Sequence, residues 1–164
     1  MNDRHPLIVE LEQIYTRRDR TALAALRRSF LPGREASVYP YVARFFPQKA
    51  DVHQERTLAT VARLFGMHPG IGGIPLSKAL QSVAASTGSI TIDQRFVALL
   101  DADSEGLFEH LRHAILLVRA HQIRVDWNDL LIAMFGWNRE DRVIQRLWAR
   151  AYWGNEEGEE DAQP

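Results

Sequence analysis

The run NREDRVIQRLWARAYW, residues 138–153, reads at the period of an α-helix and sets the class of the whole chain. With Ile144 placed at 0° and about 100° of rotation per residue, Val143, Leu147, Trp148 and Ala151 fall within roughly 100° of it and make a face to be buried. On the same wheel Arg142, Arg146, Arg139 and Arg150 fall at about 160°, 200°, 220° and 240°, so these arginines form one stripe opposite the core. Trp153 lands near 180°, at about the middle of that stripe, where no core is available to a large apolar ring. The pattern predicts a last helix from about Asn138 to Tyr152.

Working outward, nearly every other segment carries the same period and strand-like alternation is hardly seen. Leu7, Leu11, Ile14 and Tyr15 line a first helix opening at Pro6, and Asp19 is placed to cap a second one built on Leu23, Leu26 and Phe30. Tyr39, Tyr41, Phe45 and Phe46 form a short aromatic segment between prolines, and Asp51 precedes a helix that buries Leu58, Val61, Ala62 and Phe65. The stretch GMHPGIGGIP, residues 66–75, is the most broken in the chain and marks a joint. Beyond it, Leu76, Leu80 and Val83, then Phe96, Leu99 and Leu100, suggest two more helices. A longer one, capped by Asp103 or Ser104, carries Leu107, Phe108, Leu111, Ile115 and Val118, and Asp126 caps another with Leu130, Leu131 and Met134 inside. The expected fold is all-α, a two-lobed helical bundle: residues 1–75 an N-terminal lobe with its connecting loop, 76–155 a C-terminal bundle, and 156–164 an acidic disordered tail.

Composition narrows the function. The chain of 164 residues has 20 Lys+Arg against 21 Asp+Glu, but Glu156, Glu157, Glu159, Glu160 and Asp161 crowd the end. Residues 1–155 therefore hold 16 acids against all 20 bases, a surplus of four positive charges. All but Lys49 and Lys78 are arginine, whose planar, weakly hydrated fork suits phosphates and stacked bases. Arg27-Arg28 and, upstream, Arg17, Arg18 and Arg20 form a second basic set, and Arg112 and Arg119, seven residues apart, share one flank of their helix. Together these arginines can follow a phosphodiester backbone.

The absence of cysteine excludes disulfides, thiolate metal sites and thiol nucleophiles. No apolar run approaches the roughly 20 residues of a membrane span, and MNDRHPL is not a signal peptide, so a soluble cytoplasmic protein is expected. His110 and His113 with Glu109, or Asp101, Asp103 and Glu105, lack metal-ligand spacing and read instead as a histidine surface and helix-capping acids. Gly70, Gly72 and Gly73 lack the lysine of a phosphate loop, and no serine sits in a nucleophile-elbow setting. No catalytic residue, metal site or cofactor is expected.

Specific runs carry a resemblance. LAALRR at 23–28, LSKAL after the central loop, RFVALL at 95–100, LRHAILL at 111–117, IRVDWNDLL at 123–131, Trp137 and the closing RLWARAYW resemble, in order, the small-subunit (CasB) family of the type I-E CRISPR surveillance complex, Cascade. The resemblance implies an all-helical, two-lobed protein without enzymatic activity in an RNA-guided antiviral complex. It implies two copies head to tail, supporting the heteroduplex of guide RNA and target DNA strand and holding the displaced non-target strand. The family's paired arginines match Arg27 and Arg28, the arginine before a phenylalanine matches Arg95, and the basic positions after the tryptophan match Arg139 and Arg142. Arg112 matches a basic position of the long helix, whereas His113 stands where relatives often carry a second arginine, replacing a permanent charge by a titratable one. Ser77 stands where glycine is usual.

The expected nucleic-acid-binding set is therefore Arg27, Arg28, Arg95, Arg112, Arg119, Arg139, Arg142 and Arg146. The competing readings are a helical protein–protein adaptor without nucleic-acid contact and, less favoured, a metal-dependent hydrolase.

Overall fold

A computed structural model describes residues 3–154, and the acidic segment expected at 156–164 lies outside them. The described residues form helices α1 (Pro6–Thr16), α2 (Arg20–Arg28), α3 (Tyr39–Val42), α4 (Val52–Met67), α5 (Leu76–Thr87), α6 (Ile90–Asp101), α7 (Leu107–Ala120), α8 (Trp127–Phe135) and α9 (Val143–Trp153). Short 3-10 turns flank α3, and no strand occurs among the described residues beyond an isolated bridge between Ile74 and Val125. The fold is all-α, as the periodicity requires.

Local chemistry starts and stops these helices. The carboxylates of Asp19, Asp51 and Asp126 accept the backbone N–H of Ala22, Gln54 and Asp129, each at 3.0 Å, and such caps contribute about 1 kcal/mol apiece. Pro6 opens α1, where the Nδ1 of His5 accepts the Leu7 N–H at 3.1 Å. Gly88, with φ of 64°, ends α5 in the left-handed region that other residues avoid.

Packing is organised around α4, which lies against α2 on one side and α7 and α8 on the other, while α5 holds α9 and α6. One contiguous core runs from Leu7 and Leu11 through Phe65 and Trp127 to Trp148 and Tyr152. The broken central loop is tied down. Ile74 donates to the Arg124 carbonyl at 3.1 Å and accepts from Asp126 at 2.8 Å, and a Cβ on Gly73 would meet that Arg124 oxygen at 2.6 Å.

The last helix departs from expectation at its start and in its rotation. It begins at Val143, not Asn138, because Arg142 takes a left-handed φ of 54° and the Asp141 carboxylate accepts the Val143 N–H at 3.2 Å. A short acidic side chain competes here with helical continuation. Gln145, not Leu147, then faces the interior, since its Nε2 donates to the Trp137 carbonyl at 2.8 Å. The buried face is Gln145, Trp148 and Tyr152, with Ile144 packed at its edge, whereas Leu147 remains 53% exposed. Neither Asp103 nor Ser104 caps α7 directly. Its cap position is Gly106, and the Asp103 carboxylate serves the preceding turn by accepting the Gly106 N–H at 2.8 Å.

Candidate nucleic-acid interface

The expected basic residues fall into three neighbourhoods. The first lies where the ends of α2 and α4 meet a flank of α7. Gly66 of α4 comes so close to α2 that a Cβ there would sit 2.7 Å from the Arg27 backbone nitrogen. This close approach sets the position of Arg27 and Arg28, which are exposed and have no ion pair among the described residues. The Arg112 guanidinium stands 5.5 Å from the centroid of the Phe30 ring, just past α2, and pairs with Glu109 at 3.3 Å. Arg119, two turns further along the same flank of α7, donates to the Met67 carbonyl at 3.0 Å and so closes the C-terminal end of α4. Part of its hydrogen-bonding capacity is structural.

The second neighbourhood surrounds the start of α9. Arg139 holds Asp141 in a two-pronged pair at 3.2 and 2.8 Å. The Arg139 guanidinium, the Val143 N–H and nearby Arg146 hold the Asp141 carboxyl below the usual carboxylate range, and Asp141 in turn raises Arg139. Arg142 donates to the Leu100 carbonyl at 2.5 Å, joining the end of α6 to the start of α9. Arg146 reaches the Asp141 carbonyl at 3.3 Å. Arg139 and Arg142 thus precede the helix, and the helical wheel does not govern where they point. Of the stripe, Arg146 and Arg150 remain on α9, both exposed.

Arg95 makes the third. It is exposed on α6 and lines, with His110 and His113 of α7, the rim of a cleft of about 570 Å³ whose walls are Leu80, Ile92, Phe96 and Leu99. Position 113 therefore faces the same cleft as Arg95, while its neighbour Arg112 faces α2. The pairing of Arg139 with Asp141 has its signal in the sequence, the two-residue spacing of opposite charges before the helix.

Among the described residues no three His, Asp or Glu side chains come together as a metal site, and no helix is long and apolar enough to cross a membrane. Among the described residues the arrangement offers exposed guanidinium groups on α2, α6 and α9.

Comparison with known proteins places this geometry. The chain is 37% identical over 146 residues to the CRISPR-associated protein Cse2 of Thermus thermophilus, covering 85% of this chain and 83% of that protein. The crystal structure of a Cse2-family protein from the same organism matches with a TM-score of 0.79 and 31% identity over 94% of this chain and 100% of that one. CasB from M. ruber matches with a TM-score of 0.70 and 29% identity, over 93% and 98%. A chain of a CRISPR RNA-guided surveillance complex shares the fold, with a TM-score of 0.74 at 22% identity over 96% and 95%. The model of the family described as CRISPR-associated protein Cse2 matches residues 22–153, from within α2 to the last residue of α9, and the chain belongs to that family.

Proposed function

We propose that this chain is a non-catalytic subunit of a CRISPR RNA-guided surveillance complex, where it supports the guide RNA–target heteroduplex and retains the displaced non-target strand. The observation that carries the reading is membership of the Cse2 family combined with exposed arginines, Arg27, Arg28, Arg95 and Arg150, that no acid pairs among the described residues. Opening a duplex against a guide RNA is nearly balanced in free energy, so a few backbone contacts to the released strand shift it decisively. Arginines on separate helices supply such contacts without reading sequence. The two halves, 1–75 and 76–155, serve as the two lobes of this support, and a second copy continues the basic surface along the strand.

The test is assembly with the other subunits and guide RNA, with and without this chain, followed by chemical probing of the displaced strand on a matched target. The reading expects co-purification, and loss of protection of the displaced strand when the chain is omitted. Equal protection in both assemblies would favour the adaptor reading, in which the arginines contact only protein.

A further inference from the structure

Trp153 is the one tryptophan that the core does not take up. It is 48% exposed, whereas Trp127, Trp137 and Trp148 are exposed by 3%, 1% and 5%. It is nevertheless held in place. Phe96 and Tyr152 stack with centroids 4.1 Å apart and planes 14° apart. Trp153 stands across both, 5.2 Å from Phe96 and 4.6 Å from Tyr152, at 65° and 71° to their planes. The ring therefore stands beside the stack, steeply tilted to both of its members, with about half of its surface left open. Tyr152 is itself anchored, its hydroxyl donating to Asp93 Oδ1 at 2.5 Å. The helix ends at this ring, where Gly154 turns to an extended backbone, and a Cβ at that position would collide with the Arg150 carbonyl oxygen.

On the helix itself the neighbours of that exposed ring are basic, while Glu156 and Glu157 follow it in the sequence. On α9, Arg150 and Arg146 lie about 60° and 20° from Trp153 around the axis, roughly 4.5 and 10 Å back along it. Arg95 is exposed next to Phe96 on α6, and the neighbouring acid, Asp93, accepts the Tyr152 hydroxyl. A fixed aromatic face flanked by guanidinium groups combines the two elements that bind a single strand without regard to sequence. An apolar protein segment would find arginines where it needs apolar walls.

We propose that Trp153 is a stacking platform for a nucleobase of a single strand, with Arg146, Arg150 and Arg95 holding the phosphates beside it. This rests on the reading of the chain as a nucleic-acid-binding subunit and adds the residue that engages a base.

Because the other three tryptophans emit from the core, shielded from contact, quenching of the full chain's intrinsic fluorescence by a stacked base reports Trp153. The probes are an oligothymidylate and an abasic oligonucleotide of equal length. Oligothymidylate should quench the parent and the abasic strand should not. Trp153→Leu should weaken oligothymidylate binding about 5- to 100-fold and leave abasic binding unchanged, while Trp153→Phe retains most of the affinity. A thermal melt checks each variant, and if Trp153→Leu is unfolded, quenching of the parent by the two probes decides. Equal, salt-dependent binding of both probes by parent and Trp153→Leu would overturn the platform and leave the arginine surface standing. Failure of the parent to bind either probe would overturn both. Intact oligothymidylate binding with lost assembly of Trp153→Leu into the complex would assign the ring to a protein contact instead.

Discussion

Replacing Gly66 by alanine tests whether the close contact of α2 and α4 sets both stability and the position of the first basic neighbourhood. In an isolated helix the change stabilises by about 1 kcal/mol, since glycine is a poor helix former. Here the added Cβ would lie 2.7 Å from the Arg27 nitrogen, 2.8 Å from the Leu26 Cβ and 3.0 Å from the Leu26 carbonyl carbon. Two of those atoms are backbone, so no side-chain rotation relieves the overlap and the helices must separate. Overpacking of this kind costs about 1–3 kcal/mol, and the backbone contact places it at the upper end. The net expectation is about 2 kcal/mol of destabilisation, or roughly 4–8 °C in melting temperature for a chain of this size. Gly106→Ala is the control, its nearest atom being the Asp103 carboxylate at 3.4 Å. Thermal melts of parent and both variants, with single-strand binding on the same samples, should show Gly66→Ala lowered in both. Melting at or above the parent would refute the packing argument.

Arg119→Ala, which frees the Met67 carbonyl, should lower stability in urea titrations by about 0.5–1.5 kcal/mol, whereas Arg27→Ala should stay within about 0.5 kcal/mol of the parent. Burial, and then the hydrogen bond to Asp93, push the Tyr152 phenol above its ordinary value. The folded chain therefore keeps a proton that the unfolded chain releases near pH 10, so this stabilisation is complete below about pH 10 and is lost as the pH rises further. Tyr152→Phe should be less stable than the parent at neutral pH by about 1 kcal/mol, with a shallower alkaline decline in pH-dependent melts.

Much of the fold is legible in the sequence because it is written locally. Asp19, Asp51 and Asp126 precede apolar periods and do cap α2, α4 and α8, and Leu26, Leu58, Phe65, Leu111 and Leu130 are buried where the period puts them. The start of α9 is not legible in the same way. Helical periodicity runs smoothly through residues 138–142, but the Asp141 carboxylate competes for the Arg139 guanidinium and the Val143 N–H, and the chain turns left-handed at Arg142. The rotation of α9 depends on Gln145 reaching the Trp137 carbonyl, a tertiary contact with no mark in the local pattern. The approach of Arg112 to Phe30 likewise depends on how α7 meets the end of α2.

The most direct test of the arginine surface is the salt dependence of single-strand binding by the chain and by Arg27→Ala/Arg28→Ala/Arg146→Ala/Arg150→Ala. Affinity should fall linearly with salt on logarithmic axes, and the variant's slope should be smaller by about 0.7 for each phosphate it no longer neutralises, with its melting temperature nearly unchanged. A parent slope near zero, or a variant that binds with the parent's affinity and slope, would contradict the assignment of these arginines to a nucleic-acid strand.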